Sequence, residues 1–97
     1  MPKLTSEEIT KGLKDLPGWQ LADNAIKKQY AFSAFMDGIR FVDRVAHLAE
    51  MADHHPDILI NYKRITMTLS THSEGGITQK DFDLAKEIEK ASTRLTR

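Results

Sequence analysis

The sequence predicts an α+β fold. Three helices and four strands follow in the order α-β-β-α-β-β-α, and the strands form a four-stranded antiparallel sheet with the three helices on one face. Three observations predict it. Apolar residues recur at helical spacing in three separate stretches. Four short stretches with strand character lie between them. Pro17-Gly18, Asp23-Asn24 and Gly75-Gly76 mark the breaks between elements.

The first helix is expected over Thr5–Leu16. Thr5 followed by Glu8 matches a capping box, in which each side chain satisfies the other's exposed backbone N–H. Ile9, Leu13 and Leu16 then share one face, and Pro17-Gly18 ends the run. Two strands follow, Trp19–Ala22 and Ile26–Ser33, joined through Asp23-Asn24, whose short side chains bond their own backbone in turns. Ile26, Tyr30 and Phe32 lie on one parity of the second strand, and Lys28 breaks that alternation.

From Phe35 to about Asp53 the period becomes helical, with Phe35, Ile39, Val42, Ala46 and Ala49 as the apolar stripe. Ser33 is placed to cap this helix, and Asp37 falls near the positive end of its dipole. Gly38 costs it about 1 kcal/mol relative to Ala. Pro56 pushes His55 out of helical geometry, so the helix ends before it. Strands are expected at Asp57–Asn61 and Ile65–Thr71, with Tyr62-Lys63-Arg64 between them. Ile65, Met67 and Leu69 alternate with Thr66, Thr68 and Ser70, one face buried and one wetter. After Gly75-Gly76, Thr78 caps a last helix whose Phe82, Ala85, Ile88 and Leu95 face inward. Trp19 and the phenylalanines are expected in the core. His47, mid-helix, reads as a surface or interface residue.

Ninety-seven residues leave room for one core, so residues 1–97 are expected to be a single domain. Lys plus Arg and Asp plus Glu balance at 14 each, so no positive excess argues for direct nucleic-acid binding. No apolar run reaches the ~18 residues of a membrane span, and the first residues lack the apolar stretch of a secretory signal. A cytoplasmic protein with no membrane partner is the expectation. Without cysteine, disulfides, thiolate metal sites and thiol catalysis are excluded.

The residues with chemistry to offer gather near element boundaries. Glu50, Asp53, His54 and His55 close the long helix. Ser70, Thr71 and His72 end the last strand, and Asp81 lies in the first turn of the last helix. Structural alternatives stand beside each. Histidines at a helix C-terminus are favoured by its dipole, and Asp81, three residues after Thr78, could be only half of a capping box. As a metal site the set is poorly spaced: adjacent His54 and His55 diverge, and no H-x-x-x-H pair exists. No G-x-S-x-G nucleophile is present, and Gly75-Gly76 is not a phosphate loop. Proton transfer by imidazole remains, which titrates near neutral pH and suits a dehydration or tautomerisation.

Glu50-x-x-x-His54-His55-Pro56, then Tyr62 six residues on, His72 ten after that, then Asp81: this pattern resembles pterin-4a-carbinolamine dehydratases. The likeness runs from the capped first helix through Gly18-Trp19 to Asp81-Phe82-Asp83-Leu84-Ala85. It implies loss of water from 4a-hydroxytetrahydropterin to give quinonoid dihydropterin, in tetrahydrobiopterin recycling. The pterin is substrate rather than cofactor, and neither cofactor nor metal is expected. His54 and His72 would be the acid/base groups, and His55 would orient the pterin with some catalytic share. Asp53, Ser70 and Thr71 would line the pocket, and Glu50 and Asp81 would orient the histidines. A functional link to an aromatic amino acid hydroxylase follows, since such enzymes generate the substrate. The family forms homo-dimers and homo-tetramers. Phe41, Leu48 and Met51, left over beyond the predicted stripe, would put the long helix at such an interface. Animal members also serve as dimerisation cofactors of a homeodomain transcription factor. Where those members carry aromatic residues after the proline, this chain has Ile58 and Leu59. The alternative functions are a non-catalytic interaction or coactivator scaffold and, more distantly, a binding module for pterins such as the molybdenum cofactor's precursor.

Overall fold

Seven elements make up the computed structural model, which describes residues 2–95 and their side chains as far as Thr93. They are α1 (Ser6–Leu13), β1 (Gln20–Ala22), β2 (Ala25–Ala31), α2 (Phe35–Ala52), β3 (Asp57–Asn61), β4 (Arg64–Leu69) and α3 (Gln79–Leu95), with a 3-10 turn at His72–Glu74. The order and the antiparallel sheet are those read from the sequence. The strands lie side by side as β1-β2-β4-β3. The expected inward position of Leu95 lies outside the described side chains.

Local chemistry accounts for the first helix. Thr5 and Glu8 close the capping box in both directions, at 3.2 and 2.8 Å. The helix is shorter than expected because its last turn tightens. Lys14, Asp15 and Leu16 each donate to the carbonyl three residues back, and the chain leaves as a 3-10 turn.

The register places the sheet's apolar face. Ile26 opposes Leu69, Lys28 opposes Met67 and Tyr30 opposes Ile65, while Ile58 meets Met67 from the other side. Directly opposed residues share a face, so these side chains stand together. Ile26, Ile65, Met67 and Leu69 are fully buried there, and Thr66 and Thr68 on the other face stay partly open. Lys28, which broke the sequence alternation, does belong on the buried parity. Its ammonium is carried to the rim of the core, where it donates to Glu89 of α3 at 2.7 Å. The Glu89 carboxylate also accepts from Trp19 Nε1 at 3.0 Å and from the Tyr30 hydroxyl. Burial alone would raise the Glu89 carboxyl, but these donors and the Lys28 charge hold it below its ordinary range. Burial, and then the neighbouring carboxylate, push the Tyr30 phenol well above its ordinary range.

The long helix differs from its predicted orientation. The residues it buries are Gly38, Phe41, Val45 and Ala49; of the predicted stripe only Ala49 is fully buried, with Ile39 and Val42 half-buried at its edge. Phe35 is 42% exposed and Ala46 is exposed, whereas Phe41, expected as spare surface, is wholly buried. Moving from 39, 42 and 46 to 38, 41 and 45 turns the helix by about 100°, one residue's rotation. Both stripes are apolar and each carries one phenylalanine, so side-chain size does not separate them; the sheet aromatics that receive Phe41 do. Phe41 packs against Tyr30 and Phe32 at ring distances of 4.8 and 5.2 Å. Gly38, a mark against the helix by propensity, is buried against the sheet. A Cβ there would already touch the Ile65 side chain at 3.4 Å. Ser33 does not cap α2. The N-cap is Ala34, which has no side-chain acceptor.

Candidate active site

The end of α2 sets the site. Asp53 adopts a left-handed conformation (φ +49°), which Asp tolerates better than most residues. Its N–H donates to the Glu50 carbonyl at 3.2 Å, and the His54 N–H reaches back to Ala49 at 3.1 Å. This pair of bonds is the Schellman closure of a helix. It folds the chain back so that His54 turns towards α3, and Pro56 then commits the chain to β3.

α3 begins opposite. Thr78 Oγ1 accepts from the Lys80 N–H at 3.2 Å, and the Thr78 N–H donates to Asp81 Oδ2 at 2.9 Å. The reciprocal cap expected from the sequence is therefore present. Asp81 does more than cap. The same Oδ2 accepts from the Thr71 hydroxyl at 2.9 Å, and Oδ1 lies 2.5 Å from His54 Nε2. Asp81 is completely buried and the His54 side chain is 11% exposed. One carboxylate thus ties the ends of three elements together: the exit of α2, the chain beyond β4 and the start of α3.

His55 turns the other way. Its Nε2 meets Glu50 Oε2 at 2.5 Å on the exposed end of α2. His72 is exposed and opens the 3-10 turn after Thr71. That loop is closed by Thr71 and Gly76, whose backbones bond each other at 2.8 and 3.3 Å, with Gly75 left-handed at φ +69°. Because Thr71 touches Asp81 and the next residue is His72, the third imidazole is attached within one Cα step, ~3.8 Å, of the His54–Asp81 pair's support. Ser70 is half-buried and Asp53 exposed beside them. Thr71 is buried, its hydroxyl and both backbone groups engaged within the protein.

Tyr62 is not brought to this end. It lies in the β3–β4 turn, five residues along the strand from Asp57, or ~16 Å at strand rise. There it is 66% exposed and stacks on Phe35. His47 is exposed as expected, with Asp43 3.7 Å away. Thr78 was legible only as a cap. The Thr-x-x-Asp spacing shows that role, and its hydroxyl contact with Thr71 at 2.8 Å depends on tertiary packing.

A cleft of about 330 Å³ between α2 and α3 reaches His54, with Leu48, Met51 and Leu84 on its apolar side and Lys80 and Asp83 at its polar rim. A larger hollow of about 520 Å³ lies between the end of α1 and α3, around Pro17 and Lys86, and contains no histidine. Of the three candidate histidines only His54 lines the smaller cleft; His55 and His72 lie outside its lining. Among the described residues no three His, Asp or Glu side chains converge as a metal site. No helix there is long and apolar enough to cross a membrane.

Comparison with known proteins shows what the chain as a whole resembles. The family profile described as pterin 4 alpha carbinolamine dehydratase matches residues 2–91. A Mycolicibacterium vanbaalenii protein carrying that family's name is 52% identical over 89 residues, covering 92% of this chain and 96% of the relative. A Sulfolobus acidocaldarius protein of the same name is 44% identical over 88 residues, covering 91% and 97%. The crystal structure of a transcriptional coactivator/pterin dehydratase from Brucella melitensis superposes with a TM-score of 0.90 at 36% identity, covering 93% of this chain and 98% of that one. A pterin dehydratase-like RuBisCO assembly factor of the alpha-carboxysome shares the fold, with a TM-score of 0.63 at 21% identity over 76% of this chain and 86% of its own.

Proposed function

The chain belongs to the pterin 4 alpha carbinolamine dehydratase family, and on that premise we propose that it dehydrates 4a-hydroxytetrahydropterin to quinonoid dihydropterin by imidazole acid/base catalysis. The observation that carries the reading is the nearly buried His54 held at 2.5 Å by the buried Asp81, with His72 on the adjoining loop. A carbinolamine needs little else. The lone pair of the neighbouring nitrogen expels the hydroxyl from C4a, which leaves as water once protonated. The C4a–O bond breaks, a C4a=N5 bond forms, and the proton on N5 must be accepted. Two positioned imidazoles, His54 and His72, supply the donor and the acceptor, each worth typically 10²–10⁴-fold.

His55 steered by Glu50 is the group that binds and orients the pterin at the mouth of the site, with some catalytic share. Asp53 and Ser70 line it. Thr71, with its groups taken up internally, supports the site from behind. On this reading the protein works alongside an aromatic amino acid hydroxylase, in tetrahydrobiopterin recycling, and the cytoplasm is its proposed location. No metal or cofactor is called for by this chemistry. The test is the dehydration rate on 4a-hydroxytetrahydropterin generated enzymatically. Acceleration over the spontaneous reaction, unchanged by dialysis against a chelator, supports the reading. A rate lost to the chelator and restored by zinc refutes imidazole-only proton transfer.

The Brucella melitensis transcriptional coactivator/pterin dehydratase gives weight to a second reading, in which the fold acts through contacts with protein. Met36 at 53%, Met51 at 83% and Leu59 at 63% exposure leave apolar surface on α2 and β3. We propose that self-association covers part of it as a homo-dimer or homo-tetramer. Sedimentation as a monomer at micromolar concentration would count against this.

A further inference from the structure

Behind His54 lies a chain of polar groups whose hydrogen positions can all be assigned. The Lys80 N–H donates to Thr78 Oγ1. The two threonine hydroxyls, Thr78 and Thr71, lie 2.8 Å apart, and geometry alone leaves either as donor. The neighbours remove that freedom. Were Thr71 to donate to Thr78, the Thr78 hydroxyl hydrogen would have no acceptor and Asp81 Oδ2 would lose a donor. With Thr78 donating to Thr71 and Thr71 donating to Asp81 Oδ2 at 2.9 Å, every group is used. Among the described residues no buried side-chain nitrogen or oxygen lacks a partner, consistent with this assignment.

The direction has a consequence at the histidine. Oδ2 already accepts from the Thr71 hydroxyl and the Thr78 N–H, which set the plane of the carboxylate. Oδ1 faces His54 Nε2 as an acceptor, at the positive end of α3. Nε2 therefore carries the hydrogen, and Nδ1 is the ring atom left to exchange a proton. We propose that Thr78 is a positioning residue for the reaction. Through Thr71 it aims Asp81, and thereby holds His54 as its Nε2–H tautomer with Nδ1 presented to the substrate. Its helix cap and its role in aiming Asp81 use the same side chain but different contacts. The cap uses the oxygen as acceptor and the backbone N–H. The relay uses the hydroxyl hydrogen.

The rate readout rests on the dehydratase reading, but the tautomer readout does not. Long-range ¹H–¹⁵N correlation of the histidine rings, recorded on the protein without ligand, reports which nitrogen of His54 is protonated. Wild type is expected to show hydrogen on Nε2. Thr78→Val, which keeps the shape and removes the hydroxyl, should populate both tautomers and lower kcat by roughly 10-fold with KM within about twofold. That is less than the ~10²–10⁴ contributed by a whole acid/base group, because the group is misaligned rather than removed. Thr78→Ser restores the hydroxyl and should return both quantities to wild-type values. Thr71→Val breaks the same chain away from the α3 cap, so it carries the test if Thr78→Val does not fold.

A wild-type His54 protonated on Nδ1 overturns the proposal. So does a Thr78→Val protein whose tautomer and kcat are unchanged and whose melting temperature alone falls, since that is a plain helix cap. If His54 shows the expected tautomer and the variants disturb it, but wild type has no dehydratase activity, the relay stands and the dehydratase reading fails.

Discussion

Replacing Asp81 in two ways separates its structural and chemical roles. Asp81→Ala removes an acceptor that takes hydrogen bonds from Thr71, Thr78 and His54 inside the protein. Loss of the α3 cap typically costs about 0.5–2 kcal/mol, and a buried donor left without a partner costs about 1–3 kcal/mol. Allowing water to reach part of the gap, the sum is about 3 kcal/mol. In a domain of 60–100 residues each kcal/mol moves Tm by about 4–8 °C, so a fall of about 12–24 °C is expected. Asp81→Asn behaves differently. Its carbonyl oxygen still accepts from Thr71 and Thr78, which costs about 1 kcal/mol or less. Its amide, however, points an N–H at His54 Nε2 and forces the ring into the opposite tautomer. Both variants should lose most of the rate above the spontaneous reaction, but only Asp81→Ala should lose much stability. His72→Ala is the control. On an exposed turn it should melt within the ~0.5 kcal/mol of ordinary surface changes while losing the rate contributed by one acid/base group. The assays are a thermal melt and a dehydration rate on all three. An Asp81→Asn protein with full kcat, or Asp81→Ala melting within about 4 °C of wild type, refutes the reasoning. Full activity in His72→Ala removes that residue from the mechanism.

Two further tests concern the scaffold. Phe41→Ala should cost about 3–5 kcal/mol, as for a buried aromatic, and Phe35→Ala less than about 1 kcal/mol; equal losses in chemical denaturation would contradict the observed rotation of α2. The Glu89 carboxyl is held low in the folded state, so its stabilisation is present above its ordinary value of 4.5 and lost as pH falls through the folded value. Wild-type Tm should therefore drop on acidification below about pH 4.5. Glu89→Gln should be less stable at neutral pH and show a shallower acid drop. An identical acid profile in the variant would disprove the linkage.

The fold was largely legible because its signals are local. Thr5 and Glu8 specify a helix start within one turn. The alternation from Ile65 to Leu69 specifies a strand with one buried face, and Pro56 keeps α2 from running into His55. The histidines at the ends of elements were visible for the same reason, since element ends can be read from caps and breakers. Other features depended on packing. α2 carries two apolar stripes about 100° apart, and periodicity alone does not rank them. Phe41 fitting between Tyr30 and Phe32, and Gly38 against Ile65, selected the buried one. Lys28 is accommodated on the buried parity by Glu89, 61 residues away, and by the Pro17 carbonyl, 11 residues away. The site follows the same division. Its residue types could be named from the chain, but the contact of Asp81 with Thr71 spans 10 residues and that with His54 spans 27. A cap's reach is one helical turn. Whether Asp81 stops at its own helix or also holds the His54 imidazole depends on how α2, the chain beyond β4 and α3 pack, and only the tertiary structure decided it.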